Sequence, residues 1–174
     1  FIENISQGNR VVDIGCGYGA VARSIALNVS QSQVFGVEMD EQRFNQATAA
    51  DNPQNLKFIF GDAFQVLPDG VADVVVLSNV LEHIEDRQAF LRRIVDVLSP
   101  GKILIRVPAF QREWHVPLRK ELEITYFNDQ THFIEHTVSE FEDELHRANI
   151  QIDSLRTIWG EIWAVCHPAK PTGQ

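Results

Sequence analysis

A chain of 174 residues with 44% hydrophobic content is long enough for one domain with a sizeable core around a central sheet. Its net charge of −9 argues against a broad nucleic-acid surface or an anionic membrane as partner, because phosphate binding needs a basic face. No apolar run approaches the ~20 residues that span a bilayer. The opening Phe1-Ile2-Glu3-Asn4 lacks the pattern of a secretory signal, so a cytoplasmic location is expected. Cys16 and Cys166 stand far apart without metal-ligand spacing and read as buried thiols. The chain begins without Met, which suggests that a preceding portion was removed or not included.

In chain order, short apolar runs alternate with stretches of helical period. Arg10 to Ile14, Gln33 to Glu38, Lys57 to Phe60, Ala72 to Leu77 and Ile103 to Val107 are apolar on both faces, as buried parallel strands are. Between them Val21/Ile25/Val29, Phe44/Ala47 and Phe90/Leu91/Ile94/Leu98 recur at three- and four-residue steps, which puts one apolar stripe on each helix. Ser99-Pro100-Gly101 stops what counts as the fourth major helix. Residues 108–136 are aromatic and irregular, holding Trp114, His115, Tyr126, Phe127, His132, Phe133 and His136, and a connection of that length is usually functional. Thr137 and Glu140 spell a capping box ahead of Phe141, Leu145 and Ala148. Ile150 to Ile158 and Ile162 to Cys166 flank Gly160 as a terminal antiparallel pair, and a flexible tail is expected over 169–174. The pattern predicts an α/β, doubly wound Rossmann-like sheet of about seven strands, mostly parallel with an antiparallel last strand.

The chemistry sits where strands end. Val11-Val12-Asp13-Ile14-Gly15-Cys16-Gly17-Tyr18-Gly19 is a strand entering a glycine turn and then a helix, a geometry that lets a ligand approach bare backbone. Gly15-x-Gly17-x-x-Ala20 also satisfies the dinucleotide fingerprint, so the glycines alone leave an NAD-binding oxidoreductase open. Asp13 is badly placed beside a pyrophosphate but suits the amino group of a zwitterionic ligand. Val37-Glu38-Met39 ends the next strand, where a carboxylate can accept bonds from both ribose hydroxyls. Gly61-Asp62-Ala63 follows the third, where Asp62 can accept the adenine amino hydrogens and the Ala63 N–H can face a ring nitrogen. Asn79, Val80, Glu82 and His83 follow the fourth, at the sheet's centre, where open α/β sheets place ligands.

This ordered set resembles the class I S-adenosylmethionine-dependent methyltransferases, in particular the small bacterial group with a quinone-biosynthesis type of core. The resemblance covers roughly residues 10–107, and more weakly the terminal helix and strand pair. It implies S-adenosylmethionine as cofactor and S-adenosylhomocysteine as product. It places Asp13, Gly15, Cys16, Gly17 and Gly19 around the methionine part and Glu38 with Met39 at the ribose. Gly61, Asp62 and Ala63 fall at the adenine, and Asn79 and Val80 cover the cofactor near the sulfonium. Ser99-Pro100-Gly101-Lys102 matches the family's turn before the fifth strand, with Lys102 where a second glycine is frequent. Only nine residues precede the first strand, whereas relatives commonly carry extra N-terminal helices.

Methyl transfer from an activated donor mainly requires alignment of the acceptor, and a base helps where the acceptor is a hydroxyl. His83, His132 and His136 are the candidate catalytic residues, under a substrate-covering insertion at 108–136. The aromatic residues there, with Glu161 from the terminal turn, are candidates to line the pocket. Glu82, His83 and Asn79 with a histidine from 132 or 136 offer oxygen and nitrogen donors, but no fixed spacing marks them and no metal is expected. The expected acceptor is a small molecule. A non-catalytic S-adenosylmethionine-binding partner subunit is the other alternative.

Overall fold

The computed structural model describes residues 1–127 and 129–169. The apolar runs become β1 (Arg10–Ile14), β2 (Gln33–Glu38), β3 (Leu56–Phe60), β4 (Val74–Ser78) and β5 (Lys102–Pro108), followed by β6 (Ile150–Ile158) and β7 (Glu161–Pro168). Together they form a seven-stranded sheet in the order β3-β2-β1-β4-β5-β7-β6. The first five strands run parallel, and β7 is antiparallel to both β5 and β6. This is the expected Rossmann-like sheet, with one refinement. The antiparallel strand is last in sequence but inserts between β5 and β6 in space. The hairpin that sends it back turns on Trp159 (φ 54°) and Gly160 (φ 75°). Two consecutive left-handed residues give a turn whose twist matches that of the strands.

The helices are α1 (Ala20–Asn28), α2 (Glu41–Ala49), α3 (Arg87–Leu98), α4 (His115–Glu121) and α5 (Val138–Arg147). Successive strand residues point to opposite faces, so each inner strand feeds two cores. Val11, Val34, Val74 and Val76 pack with Ala22, Ile25 and Ala26 of α1. On the other face Val12, Val75, Leu77, Ile103 and Ile105 pack with Phe90, Leu91, Ile94 and Leu98 of α3 and Phe141 and Leu145 of α5. Each fully buried side chain of this size contributes about 1.5–3 kcal/mol.

The helix that ends at Ser99 is the third, not the fourth. Residues 61–73, between β3 and β4, make only a short turn in which the Gln65 and Val66 N–H groups reach the Asp62 carbonyl. Pro68 and Gly70 (φ 90°) then prevent a helix from propagating. Ser99 itself takes the left-handed conformation (φ 42°) that ends α3. The capping box is present in both directions between Thr137 and Glu140. Asp40 caps α2 through the Arg43 N–H.

The described residues of 109–136 are tied down at several points. Ala109 bridges His136, the Phe110 N–H reaches the His136 carbonyl, and the Phe133 N–H reaches the Glu82 carbonyl at 2.8 Å. The segment therefore folds back over the carboxyl end of β4. At the other terminus Pro168 closes β7 and the Ala169 N–H bonds to the Asn149 carbonyl. The tail expected from 169 thus lies, beyond Ala169, outside the described residues. Among the described residues no helix is long and apolar enough to cross a membrane.

Candidate active site

Strand order reverses at β1, whose neighbours β2 and β4 are reached by crossovers in opposite directions. Such a switch point opens a crevice at the carboxyl ends of the strands. Ile14 is paired with both Val37 and Leu77, so three strand ends meet there. The chain leaves β1 through Gly15 (φ 67°), Gly17 (φ 56°) and Gly19 (φ 78°). A Cβ on Gly15 would lie 2.8 Å from Val80 Cγ2, so this glycine lets the segment after β4 close against the loop. A Cβ on Gly17 would meet nothing within 4 Å among the described residues. That bare backbone faces open space.

Two buried carboxylates flank the loop. Glu38 accepts the Gly17 N–H through Oε2 at 2.7 Å and the Asp40 N–H through Oε1 at 2.8 Å. It thereby fixes the loop to the end of β2, and each oxygen keeps a further lone pair. Asp13 is 1% exposed, and its Oδ2 has no hydrogen-bond partner among the described residues. Burial pushes its carboxyl up to about 7, partly opposed by the Ala22 N–H, with Glu38 raising it further and Arg106 lowering it. A buried carboxylate with an orphan oxygen is complementary to a cationic N–H donor.

The other cofactor candidates are arranged around the same crevice. The Gly61 N–H donates to the Glu38 carbonyl at 3.0 Å, which sets the end of β3 beside that of β2. Asp62 Oδ1 accepts the Phe64 N–H at 2.9 Å in an Asx turn, and Ala63 is buried. Met39 is exposed at the end of β2. Cys16 is buried, and burial raises its thiol far above the ordinary range, so it stays protonated. Asn79 adopts a left-handed conformation (φ 57°) and places Val80 on the glycine loop. Its side-chain oxygen accepts from Arg106 Nε at 3.0 Å.

A second group lies beside Asn79. Glu82, 1% exposed, has an Oε2 without a partner among the described residues, and burial pushes the group up to about 8, with Glu161 and Glu135 adding to the shift and Arg106 opposing it. His83 and His132 meet edge to face with ring centroids 4.7 Å apart. Burial, then the neighbouring His132, lowers the His83 pKa. His83 Nδ1 is 2.8 Å from Thr131 Oγ1, and His132 Nδ1 is 2.8 Å from Glu135 Oε1. His136 lies elsewhere. It is fully buried, with Nε2 3.4 Å from Glu144 and its ring against Phe141, in a cluster that also pairs Glu144 with Arg87. The structure thus joins two of the three candidate histidines and places the third in the core beneath α5.

Arg106, Thr131 and Glu135 escaped the sequence reading. Arg106 was detectable as the one charged residue inside the apolar run Ile103 to Val107. It holds Asn79 and lies over the Trp163 ring at 5.2 Å. Thr131 and Glu135 carry no signal outside the folded segment. Glu161 was expected as a pocket residue. It pairs with Arg112 through Oε1 at 3.0 Å and leaves a buried, unpartnered Oε2.

Residues 12–106 match the family model described as a methyltransferase domain. The chain is 29% identical over 131 residues to the 2-methyl-6-phytyl-1,4-hydroquinone methyltransferase of Synechocystis, covering 70% of this chain and 41% of that protein. It is 33% identical over 104 residues to the ubiquinone biosynthesis O-methyltransferase of a Caulobacter species, covering 57% of this chain and 40% of that protein. The chain thus spans about two fifths of the length of these relatives. Two of the solved structures that share the fold illustrate the likeness. One is a chain from the complex of the Haloferax volcanii Trm112 methyltransferase activator with a methyltransferase (TM-score 0.79, 16% identity, 98% of this chain and 86% of that one). The other is the magnesium protoporphyrin IX methyltransferase of Synechocystis with bound S-adenosylhomocysteine (TM-score 0.70, 17% identity, 96% and 77%).

Proposed function

Because the chain belongs to the methyltransferase-domain family, we propose that it binds S-adenosylmethionine at the β1–β4 crevice and directs its methyl group to a small-molecule acceptor. The observation that carries this reading is Asp13, a buried carboxylate with an orphan oxygen beside backbone that faces open space at Gly17. A dinucleotide would bring a pyrophosphate to that carboxylate, and the two anions would repel. The amino group of S-adenosylmethionine satisfies it instead.

In this assignment Asp13 takes the ammonium, and Gly15, Cys16, Gly17 and Gly19 line the methionine part. Glu38 uses its remaining lone pairs on the ribose hydroxyls, with Met39 over that end. Gly61, Asp62 and Ala63 form the adenine end, and Asn79 and Val80 close the crevice near the sulfonium. The cofactor supplies a methyl group already activated on sulfur. The protein's remaining tasks are to align the acceptor and exclude water. Residues 108–136 serve as the substrate-covering insertion, and the exposed ring of Phe133 with Tyr126 and Phe127 offers an apolar wall. The names of the hydroquinone and ubiquinone-biosynthesis relatives favour a small aromatic acceptor. On this reading His83 and His132 touch it.

Calorimetric titration of the chain with S-adenosylmethionine, S-adenosylhomocysteine and NAD tests the cofactor. Binding of the first two without NAD is expected, and binding of NAD alone refutes the assignment. Methyl transfer to small phenols and quinols, followed by mass spectrometry, separates an enzyme from a cofactor-binding partner subunit.

A further inference from the structure

We propose that Glu82, His83 and His132 form a binding site for one divalent first-row transition ion of the Zn²⁺ type, drawn from donors that the sequence offers without any fixed ligand spacing. One donor atom from each of the three lies within 4.8 Å of the other two. Donors bonded to such an ion at ~2.1 Å stand roughly 3–4 Å apart, so modest side-chain rotation completes the set.

The hydrogen bonds around the two imidazoles orient them for this task. The Thr131 hydroxyl donates to Asp129 Oδ1 at 2.7 Å, so its oxygen accepts from His83 Nδ1. His83 therefore carries its proton on Nδ1 and presents the Nε2 lone pair. Glu135 Oε1 likewise receives the proton of His132 Nδ1, leaving the second Nε2 lone pair available. A ring nitrogen anchored to a carboxylate or hydroxyl while the opposite nitrogen stays bare is the arrangement that orients metal-binding histidines.

The third donor is independent of the histidines. Glu82 is 1% exposed, yet its Oε2 has no hydrogen-bond partner among the described residues. An unsatisfied oxygen on a buried carboxyl group is unfavourable, and a cation bonded to it would remove that penalty. Glu161, with its own orphan Oε2, and Glu135 add negative charge around Glu82. Asn79 is outside the set because Arg106 holds its oxygen, and His136 is outside because it lies in the core against Phe141.

Two imidazole nitrogens and one carboxylate favour a transition ion over Mg²⁺ or Ca²⁺, which prefer oxygen-only shells. His83 is exposed, so the remaining coordination positions are open to solvent and to an acceptor. There an ion would hold an acceptor oxygen and acidify its hydroxyl. That role rests on the methyltransferase reading, but the existence of the site does not.

The test uses the 174-residue chain stripped with chelator and titrated separately with Zn²⁺, Co²⁺ and Mg²⁺. Saturable 1:1 binding of Zn²⁺ and Co²⁺ is expected, with visible Co²⁺ absorption. Glu82→Gln and His132→Asn should each weaken it at least tenfold, whereas His167→Asn, at the separate His167–Asp153 pair, should not. In the unsubstituted protein, Co²⁺ should shift the imidazole resonances of His83 and His132 and spare those of His146 and His167, a readout that needs no variant to fold. No 1:1 binding, preference for Mg²⁺, or Co²⁺ shifts at other histidines overturns the proposal. Titration of the same samples with S-adenosylmethionine reads the donor site separately. Metal binding without donor binding refutes the proposed function and leaves the metal site standing, and the reverse refutes the metal site alone.

Discussion

Replacing Asp13 by asparagine removes a charge whose protonation should govern cofactor binding. In the free protein burial holds this carboxyl at about 7 against an ordinary 3.8. Ionising it in the folded state therefore costs on the order of 4 kcal/mol more than in water. The carboxyl is an acid with a raised folded pKa, so its stabilising contribution is present below the unfolded value. That contribution is lost as the pH rises through about 7. Binding of an ammonium requires the carboxylate, so cofactor binding should release close to one proton at pH ~5.5 and about half at pH ~7. Affinity for S-adenosylmethionine should accordingly rise roughly tenfold across that interval. Calorimetry in buffers of different ionisation enthalpy measures the proton count directly. Asp13→Asn should abolish both the release and the rise, and should weaken binding by about 1.5–3 kcal/mol through loss of a charged hydrogen bond. If the variant keeps the same proton release and pH slope as the parent, the role assigned to Asp13 is wrong.

The two glycines of the loop should separate folding from binding. Gly15→Ala brings a Cβ to within 2.8 Å of Val80 in a left-handed conformation and should lower the melting temperature as well as cofactor affinity. Gly17→Ala meets no atom of the described residues within 4 Å, so it should cost only about 1–2 kcal/mol of backbone strain in denaturant titrations. It should still weaken S-adenosylmethionine binding, because the new methyl occupies the space given to the ligand; retention of full affinity would place the cofactor elsewhere. Phe141→Ala empties a fully buried position between α5 and the sheet, and chemical denaturation should show a loss of about 3–5 kcal/mol. Thr137→Ala removes the cap of α5 and should cost about 1 kcal/mol by the same measurement.

Much of this architecture is local in origin. The five apolar runs specify strands because residues buried on both faces need no alternation. Gly15, Gly17 and Gly19 specify the turn because a Cβ disfavours their φ values. Thr137 with Glu140 fixes the start of α5 for a similarly local reason, namely that the unpaired N–H groups of a first turn need acceptors within reach. Asp13, Glu38 and Asp62 could be placed at strand ends by counting alone. The segment at 61–73 resisted such reading, since its short turn and its breakers Pro68 and Gly70 conflict until the neighbouring strands are set.

The sequence by itself thus determined the strands, the glycine loop and the acidic residues at the ends of the first three strands, because these depend on backbone preference and on side chains a few positions apart. Tertiary structure alone decided the insertion of β7 between β5 and β6, the orphan oxygens of Asp13 and Glu82, and the sorting of three similar histidines. His83 and His132 come together because the Phe133 N–H ties the irregular segment to the Glu82 carbonyl, while His136, four residues further on, turns into the core against Glu144. Contacts between residues almost fifty positions apart leave no periodic trace in a chain. They exist only once the sheet has fixed where its strands end.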